Sequence, residues 1–407
     1  MPGELPAGEP VPVDGALPDA ALARAGQRGF GVYVHVPFCA SRCGYCDFNT
    51  YTATELGGTT DRDGYADQVL AELALAARVL GDRPLARVDT VFVGGGTPTL
   101  LPPDDLARIL DGIDRTWGLA GDAEVTTEAN PESVNPESLT QLRAAGYTRL
   151  SLGMQSVAPG VLAILDRRHR PGRATDAARE ARDVGFDHVN LDLIYGTPGE
   201  RAEDFAASLQ AVLDAGVDHV SAYALIVEDG TRMAARMRRG ELAYPDDDVA
   251  ADRYLAAEAA LSDAGFSWYE VSNWARTPAS ACRHNLLYWT GGDWWGLGPG
   301  AHSHVGGVRW WNVKHPSSYA ARLGAGQSPG QAREVLSAEE RRTEDVLLRL
   351  RLASGLPLAT LDEAGRAGAA RARDTGLLDA SAYDAGQAVL TLRGRLLADA
   401  VVRDLLP

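Results

Sequence analysis

The sequence predicts an α/β protein built on a partial (β/α)6 barrel of parallel strands with helices outside, followed by a smaller C-terminal α+β domain. Three observations carry that expectation. A glycine followed by a β-branched or leucine-rich strand recurs at Gly146-Tyr147-Thr148-Arg149-Leu150, Gly185-Phe186-Asp187-His188-Val189 and Gly216-Val217-Asp218-His219-Val220, as expected where a helix ends at a residue free to take positive φ. Strand-like segments near Val32, Val91, Val125, Leu150, Val189 and Val220 supply enough strand–helix units for a parallel barrel or a curved open sheet. Helical patterns from Glu344 to Leu352 and Leu358 to Ala370, with a strand-turn-helix close around Val389 to Gly394, have a winged-helix look.

Taken in order, residues 1–27 are rich in Pro, Gly, Ala and acidic side chains without apolar period and read as a mobile tail. The core domain spans 28–250. It opens on the alternating strand Gly31 to Val36, stopped by Pro37, and continues through a helix from Tyr65 to Leu80 whose Val69, Leu73, Ala76 and Leu80 share a face. Residues 251–331 form an aromatic-rich connecting region, because every tryptophan except Trp117 lies between Trp268 and Trp311. Residues 332–407 form the small C-terminal domain.

A 407-residue chain with 45% apolar and 23% charged residues can bury more than one core. Its formal net charge of -16 repels phosphate backbones, so nucleic acid is disfavoured as a partner. The winged-helix look does not reverse that, since fold alone licenses no function. The chain has no run of about twenty uncharged apolar residues and no secretory signal in its first thirty, so a cytoplasmic protein is expected. Three of the four cysteines fall within one short window, which fits metal ligation in a reducing compartment better than a disulfide framework.

In parallel α/β sheets the chemistry gathers at the C-terminal strand ends. Those ends carry Pro37 to Cys46, then Gly94-Gly95-Gly96-Thr97-Pro98, Glu128, Gln155 and Asp192. Cys39-x3-Cys43-x2-Cys46 supplies three thiolates where a 4Fe-4S cluster normally takes four. One iron is thereby left open for the amino and carboxylate groups of S-adenosyl-L-methionine (SAM), whose sulfonium can accept an electron from the cluster. A zinc site completed by Cys282 and His284, or inert buried cysteines, are the bland alternatives. The flanks Tyr33-x-His35-x-Pro37-Phe38-Cys39 and Gly44-Tyr45-Cys46-Asp47-Phe48 sharpen the reading.

With these motifs the sequence resembles the radical SAM family of oxygen-independent coproporphyrinogen III oxidases and their relatives, from about Gly31 to the C-terminus. The resemblance implies that Tyr33 and Tyr45 pack around cofactor and cluster, and that Gly95, Gly96 and Thr97 meet the methionine end of SAM. It further implies polar SAM contacts from Glu128, Gln155, Arg167 and Asp192, with Ala224 a looser match.

Two subgroups of that family differ in chemistry. The oxidases carry a further cysteine two residues after the third cluster ligand, where this chain has Phe48. The haem-chaperone subgroup reads Cys-Asp-Phe-Asn there, as Cys46-Asp47-Phe48-Asn49 does, and carries a His-Asn-x-x-Tyr-Trp haem motif matched by His284-Asn285-Leu286-Leu287-Tyr288-Trp289. The resemblance therefore implies a chaperone that binds haem through His284 and passes it to recipient haem proteins, with a low-potential electron donor, a homodimer and peripheral membrane contact as further implied features. Read from the residues alone, the same segment is a packed aromatic core with His284 hydrogen-bonded inside it. His302 and His304 read as structural, and Cys282 as an open question. The alternative activity is radical oxidative decarboxylation of coproporphyrinogen III; radical RNA modification is disfavoured by the charge.

Overall fold

The computed structural model describes residues 7–57, 62, 64–81 and 87–406. Six parallel strands form its centre: β2 (Phe30–Val36), β3 (Val88–Gly95), β4 (Leu119–Ala129), β5 (Arg149–Gln155), β6 (His188–Tyr195) and β7 (His219–Ala224). They are joined through helices α1 (Tyr65–Leu80), α2 (Pro103–Trp117), α3 (Pro136–Ala144), α4 (Arg173–Asp183) and α5 (Ala202–Ala215), with α6 (Asp247–Asp263) after the last strand. This is the expected run of strand–helix units, arranged as an open sheet in strand order.

Local chemistry explains each unit. Helix α2 buries Leu106, Ile109, Leu110 and Ile113 on one face and stops at Gly118, whose φ is 74°. Helix α3 begins with a capping box between Asn135 and Ser138. Helix α4 buries the small side chains Ala174, Ala177, Ala178 and Ala181, which lets it lie close on β5 and β6. The three repeat glycines, Gly146, Gly185 and Gly216, all sit at positive φ, the left-handed turn that releases a helix into the next strand.

Further strands widen this sheet at both edges. β9 (Asn273–Ala275) adds antiparallel to β7 and β8 (Ser267–Glu270) pairs antiparallel with β9, while β10 (Asp293–Leu297) joins β2 in parallel. β11 (His302–Val305), β12 (Val308–Asn312) and β13 (Gly330–Val335) follow antiparallel, and β1 (Glu9–Pro10) closes that edge on β13. The full order is β1-β13-β12-β11-β10-β2-β3-β4-β5-β6-β7-β9-β8.

Two expectations differ from this arrangement. The segment 7–27, read as part of a mobile tail, lies along the sheet: Glu9 pairs with Arg333, Ala21 and Leu22 are buried, and Arg24 donates through Nε to Gly306 O at 3.0 Å. Its few apolar side chains show no period because they cap an existing edge instead of building a face. Residues 1–6 of that tail lie outside the described residues. The stretch 251–331 is likewise no separate connector, since Trp274, Trp295 and Trp310 join the same core as Val32 and Leu150. β13 carries the sheet past the predicted boundary at 332.

Beyond β13 a second core forms around Val346, Leu350, Leu361, Ala369, Val401 and Leu405. Helices Ala338–Arg349, Glu363–Asp374 and Ala398–Leu405 surround it, with Leu356–Pro357 pairing antiparallel to Gln387–Ala388. This is the small α+β domain expected at the C-terminus.

Candidate functional site

Alternation along the central strands sends one set of side chains into the helix layer and the other to the opposite face. Leu150 and Leu152 of β5, Val189 and Leu191 of β6 and Val220 of β7 are buried in the apolar core. The residues between them are polar, and they line a cavity of about 700 Å³. Register aligns them in rows: Glu128, Ser151, Asn190 and His219 are neighbours on four successive strands, and Gly153, Asp192 and Ser221 form the next row. The sequence carries this signal as polar residues at period 2 within apolar strands, in addition to the single residues at the strand ends.

Every residue singled out as a cluster, SAM or haem contact lines that cavity: Cys39, Cys43, Cys46, Tyr33, Tyr45, Gly95, Gly96, Thr97, Glu128, Gln155, Arg167, Asp192, Ala224 and His284. The cysteine loop leaves β2 at Pro37 and is held at its start by a short parallel pairing of Phe38–Cys39 with Tyr51–Thr52. Backbone donors from the glycine run secure it, Gly96 N to Val36 O and Thr97 N to Phe38 O, each at 2.8 Å. A Cβ on Gly96 would stand 2.4 Å from Phe38 O and 3.0 Å from Cys39 Sγ, so only glycine lets the two loops meet.

The three loop thiols are half-buried and free of disulfides. Burial, then the neighbouring Cys46 and Cys43 sulfurs, push the Cys39 thiol up to about 11, and burial also raises Cys46. Such thiols lose their protons to a metal centre rather than to solvent. Among the described residues no three His, Cys, Asp or Glu side chains converge as one metal ion would require. Three thiols from one short loop are a donor set that suits a 4Fe-4S cluster, whose usual protein ligands are cysteines.

Around the thiols the polar groups are poised for a charged ligand. Arg167 donates through Nη2 to Gly153 O at 2.8 Å and brings Nη1 to 3.5 Å from Cys43 Sγ. Its Nε is buried without a hydrogen-bond partner among the described residues. Gln155 sits at φ 68°, beside a register shift in β5, a bulge that turns the strand end at the cavity wall. Glu128 accepts from Gly95 N at 3.0 Å; burial first, and then the charge of Asp192, push its carboxyl up to about 8. Asp192 is also raised by burial, and it accepts from Asn190 Nδ2 at 2.6 Å and Ser151 Oγ at 3.3 Å. Two buried acids of raised pKa beside an arginine fit a ligand carrying both a cationic centre and a carboxylate, which would draw the acids back to their charged forms. Tyr33 is fixed by its hydroxyl 2.9 Å from His35 Nδ1, and His35 Nε2 lies 2.9 Å from Asn49 O within the cysteine loop.

The segment His284–Trp289 lies on the short helix α7 (Arg283–Trp289). Glu124 holds its start, accepting from the backbone N–H groups of Arg283 at 3.1 Å and His284 at 3.0 Å while Arg149 Nε pairs with it at 3.0 Å. Neither Glu124 nor Arg149 stands out in the sequence; both are mid-strand charges whose pairing depends on adjacency of β4 and β5. The His284 ring stacks on Phe92 at 5.3 Å, with Nδ1 2.8 Å from Thr90 Oγ1 and Nε2 2.7 Å from the Tyr288 hydroxyl. Burial pushes it down to about 4. This is an imidazole with both nitrogens engaged.

Residues 33–212 match the radical SAM superfamily. The chain is 60% identical over 385 residues to the heme chaperone HemW of Mycobacterium tuberculosis, covering 95% of this chain and 97% of that one. The chain belongs to the HemW family of radical SAM proteins. The HemW of Bacillus subtilis is 32% identical over 325 residues, covering 80% of this chain and 84% of that one. Among solved structures, the radical SAM enzyme coproporphyrinogen III oxidase (HemN) of Escherichia coli superposes with a TM-score of 0.79 at 25% identity, covering 95% of this chain and 92% of that one. The open parallel sheet and the cysteine loop at its end are thus the radical SAM fold. The HemW match runs through the aromatic strands and the C-terminal domain as well.

Proposed function

We propose that this chain is a haem chaperone: it holds a 4Fe-4S cluster on Cys39, Cys43 and Cys46, binds SAM beside it, and carries haem to recipient haem proteins in the cytoplasm. The observation that carries the reading is the position of α7, whose His284 and Tyr288 line the same cavity of about 700 Å³ as Cys39, Cys43 and Cys46. That volume is suited to a bound cofactor-sized molecule.

The cluster and SAM, when bound, supply one-electron reducing chemistry at a sulfonium. The chain's residues would set the conditions for it. Arg167 places a fixed positive charge beside Cys43, Glu128 and Asp192 face the cationic part of the ligand, Gly95, Gly96 and Thr97 give backbone access to its amino-acid end, and Tyr33 and Tyr45 wall off water. Gln155 and Ala224 complete the polar and apolar rim. Among the described residues no helix is long and apolar enough to cross a membrane. Any contact with a membrane-bound recipient, like association into a homodimer or docking of an electron donor, would use the surface.

Anaerobic reconstitution followed by haem titration tests the reading, with transfer of bound haem to an apo-haem protein as the expected result. The structural likeness to HemN favours one rival, oxidative decarboxylation of coproporphyrinogen III. Incubation with that substrate, SAM and reductant should give no vinyl product; a vinyl product would replace the chaperone reading with the oxidase.

A further inference from the structure

We propose that Glu270 is the positioning residue of the haem motif: it grips one side of α7 through Asn285 and Trp289 and thereby fixes where His284 and Tyr288 stand on the next. The inference rests on the chaperone reading above, with haem iron on His284, and names a residue outside the motif on which that ligation depends.

The motif His284-Asn285-Leu286-Leu287-Tyr288-Trp289 consists of two pairs spaced i, i+4 and offset by one residue. On a helix each such pair shares a face, and the two faces are turned about 100° from one another. The two faces of α7 have different surroundings. His284 and Tyr288 are joined to each other, Nε2 to hydroxyl at 2.7 Å, and both line the cavity that the three loop thiols line. Asn285 and Trp289 converge on Glu270: Asn285 Nδ2 donates to its Oε1 at 3.3 Å, and the Trp289 side chain donates to the same carboxylate. One pair of the motif thus faces the ligand, and the other pair holds the helix.

Glu270 suits that task. It is 2% exposed, and Asn273 Nδ2 and the Ser272 backbone N–H complete a set of four neutral donors around it. A carboxylate offers only acceptors, so four converging N–H groups match it, whereas an amide of the same shape would turn its own N–H toward them. The strand that carries Glu270 is aimed at α7. β8 shifts register between Trp268 and Glu270, an irregularity of the kind that re-aims side chains. Tyr269 reaches the start of the same helix, its hydroxyl accepting from Cys282 N at 3.2 Å. The C-terminal domain backs the strand from its other side, since Val271 N donates to Arg351 O at 3.3 Å and Ala353 N to Tyr269 O at 2.9 Å. Asn285 and Trp289 therefore act on haem through their anchor rather than as iron ligands.

The test compares the full-length, cluster-reconstituted wild type with E270Q, W289F and the double variant. Iron content, SAM affinity by equilibrium dialysis, haem affinity by Soret titration and the iron–imidazole vibration of the ferrous haem form are read for each. E270Q should keep its iron and its SAM affinity, bind haem about tenfold more weakly, and shift or broaden the iron–imidazole vibration, which a role in general stability would leave alone. W289F, which removes one donor and leaves Glu270 in place, should weaken haem binding in the same direction. The double variant should be no worse than E270Q alone, because the two residues act through one contact. Unchanged haem affinity and vibration in E270Q would overturn the proposal, as would a loss of cluster, SAM and haem together or losses in the two single variants that simply add. If E270Q does not fold, W289F decides, a selective loss of haem affinity supporting the anchor and no loss removing it. If the wild-type protein takes up no haem at all, the chaperone reading itself fails, an outcome distinct from E270Q matching a wild type that binds.

Discussion

Arg167 Nη1 lies 3.5 Å from Cys43 Sγ while Nη2 of the same guanidinium donates 2.8 Å to Gly153 O. The fork thus couples the cysteine loop to β5. A lysine could keep the charge but not both contacts. Arg167→Lys should therefore still assemble a cluster, with unchanged iron and sulfide content, but bind SAM about ten- to a hundredfold more weakly, the equivalent of one charge-assisted hydrogen bond. Equal SAM affinity in the two proteins, measured by equilibrium dialysis, would separate Arg167 from the ligand.

The meeting of the glycine run with the cysteine loop makes a second prediction. A methyl group at Gly96 would collide with Phe38 O at 2.4 Å, a backbone atom that can move only if the loop moves. Gly96→Ala should cost about 1–3 kcal/mol in urea unfolding of the cluster-free protein, the usual range for overpacking. It should also reduce iron incorporation while the far-ultraviolet circular dichroism persists. Full incorporation of iron would show that the loop has slack the structure does not suggest. If Cys43 is a ligand as proposed, Cys43→Ala, which removes one thiol without moving backbone, should abolish the cluster and leave the fold.

Much of this site was legible before the fold was known, because the cysteine loop and the glycine run are local. Their chemistry depends on a few residues of sequence separation, and parallel α/β topology sends strand ends to one edge. Asp192 was marked by its place at a strand end, whereas Arg167 was legible only through the resemblance, since nothing nearby in sequence marks it. The partners of His284 were not legible, because Thr90 lies on β3 and its approach to α7 depends on how the chain returns after β9. The contact of residues 7–27 with the sheet was not legible for a similar reason: pairing of Glu9 with Arg333 joins segments far apart in the chain.

Glu128 gives a pH prediction whose sign can be worked out. Its carboxyl is raised to about 8 by burial and by Asp192, so between the ordinary carboxylate range and that value the folded protein keeps a proton that the unfolded chain has released. Stability from this group is present at low pH and lost as pH rises through that window, at most about 1.4 kcal/mol per pH unit. Glu72, Glu200 and Glu270, each raised to about 7 by burial, act in the same direction. The comparison must therefore be between wild type and Glu128→Gln. The variant should lose less stability between pH 5.5 and 8 in the ligand-free state; parallel stability curves would show that Glu128 is already ionised in the folded protein.

Glu124 and Arg149 form a buried ion pair at 3.0 Å, and the same carboxylate anchors the first two backbone N–H groups of α7. The nearby arginine and these N–H groups hold its pKa below the usual range despite burial, so it stays charged. Removing it strands a buried guanidinium, which costs about 3–5 kcal/mol where such pairs have been broken. Glu124→Ala should therefore destabilise the protein by that order in urea unfolding and loosen α7, raising hydrogen exchange at the Arg283 and His284 amides. Removing both charges together, in Glu124→Ala with Arg149→Met, should recover most of the unfolding free energy, since no unpaired charge remains. The amide protection should not return in the double variant, because the acceptor is still missing. If single and double variants unfold alike, the pair contributes nothing beyond its packing. If the α7 amides stay protected in both, the helix is held by its aromatic contacts, Phe92 on His284 and Trp294 on Tyr288, rather than by its charged anchor.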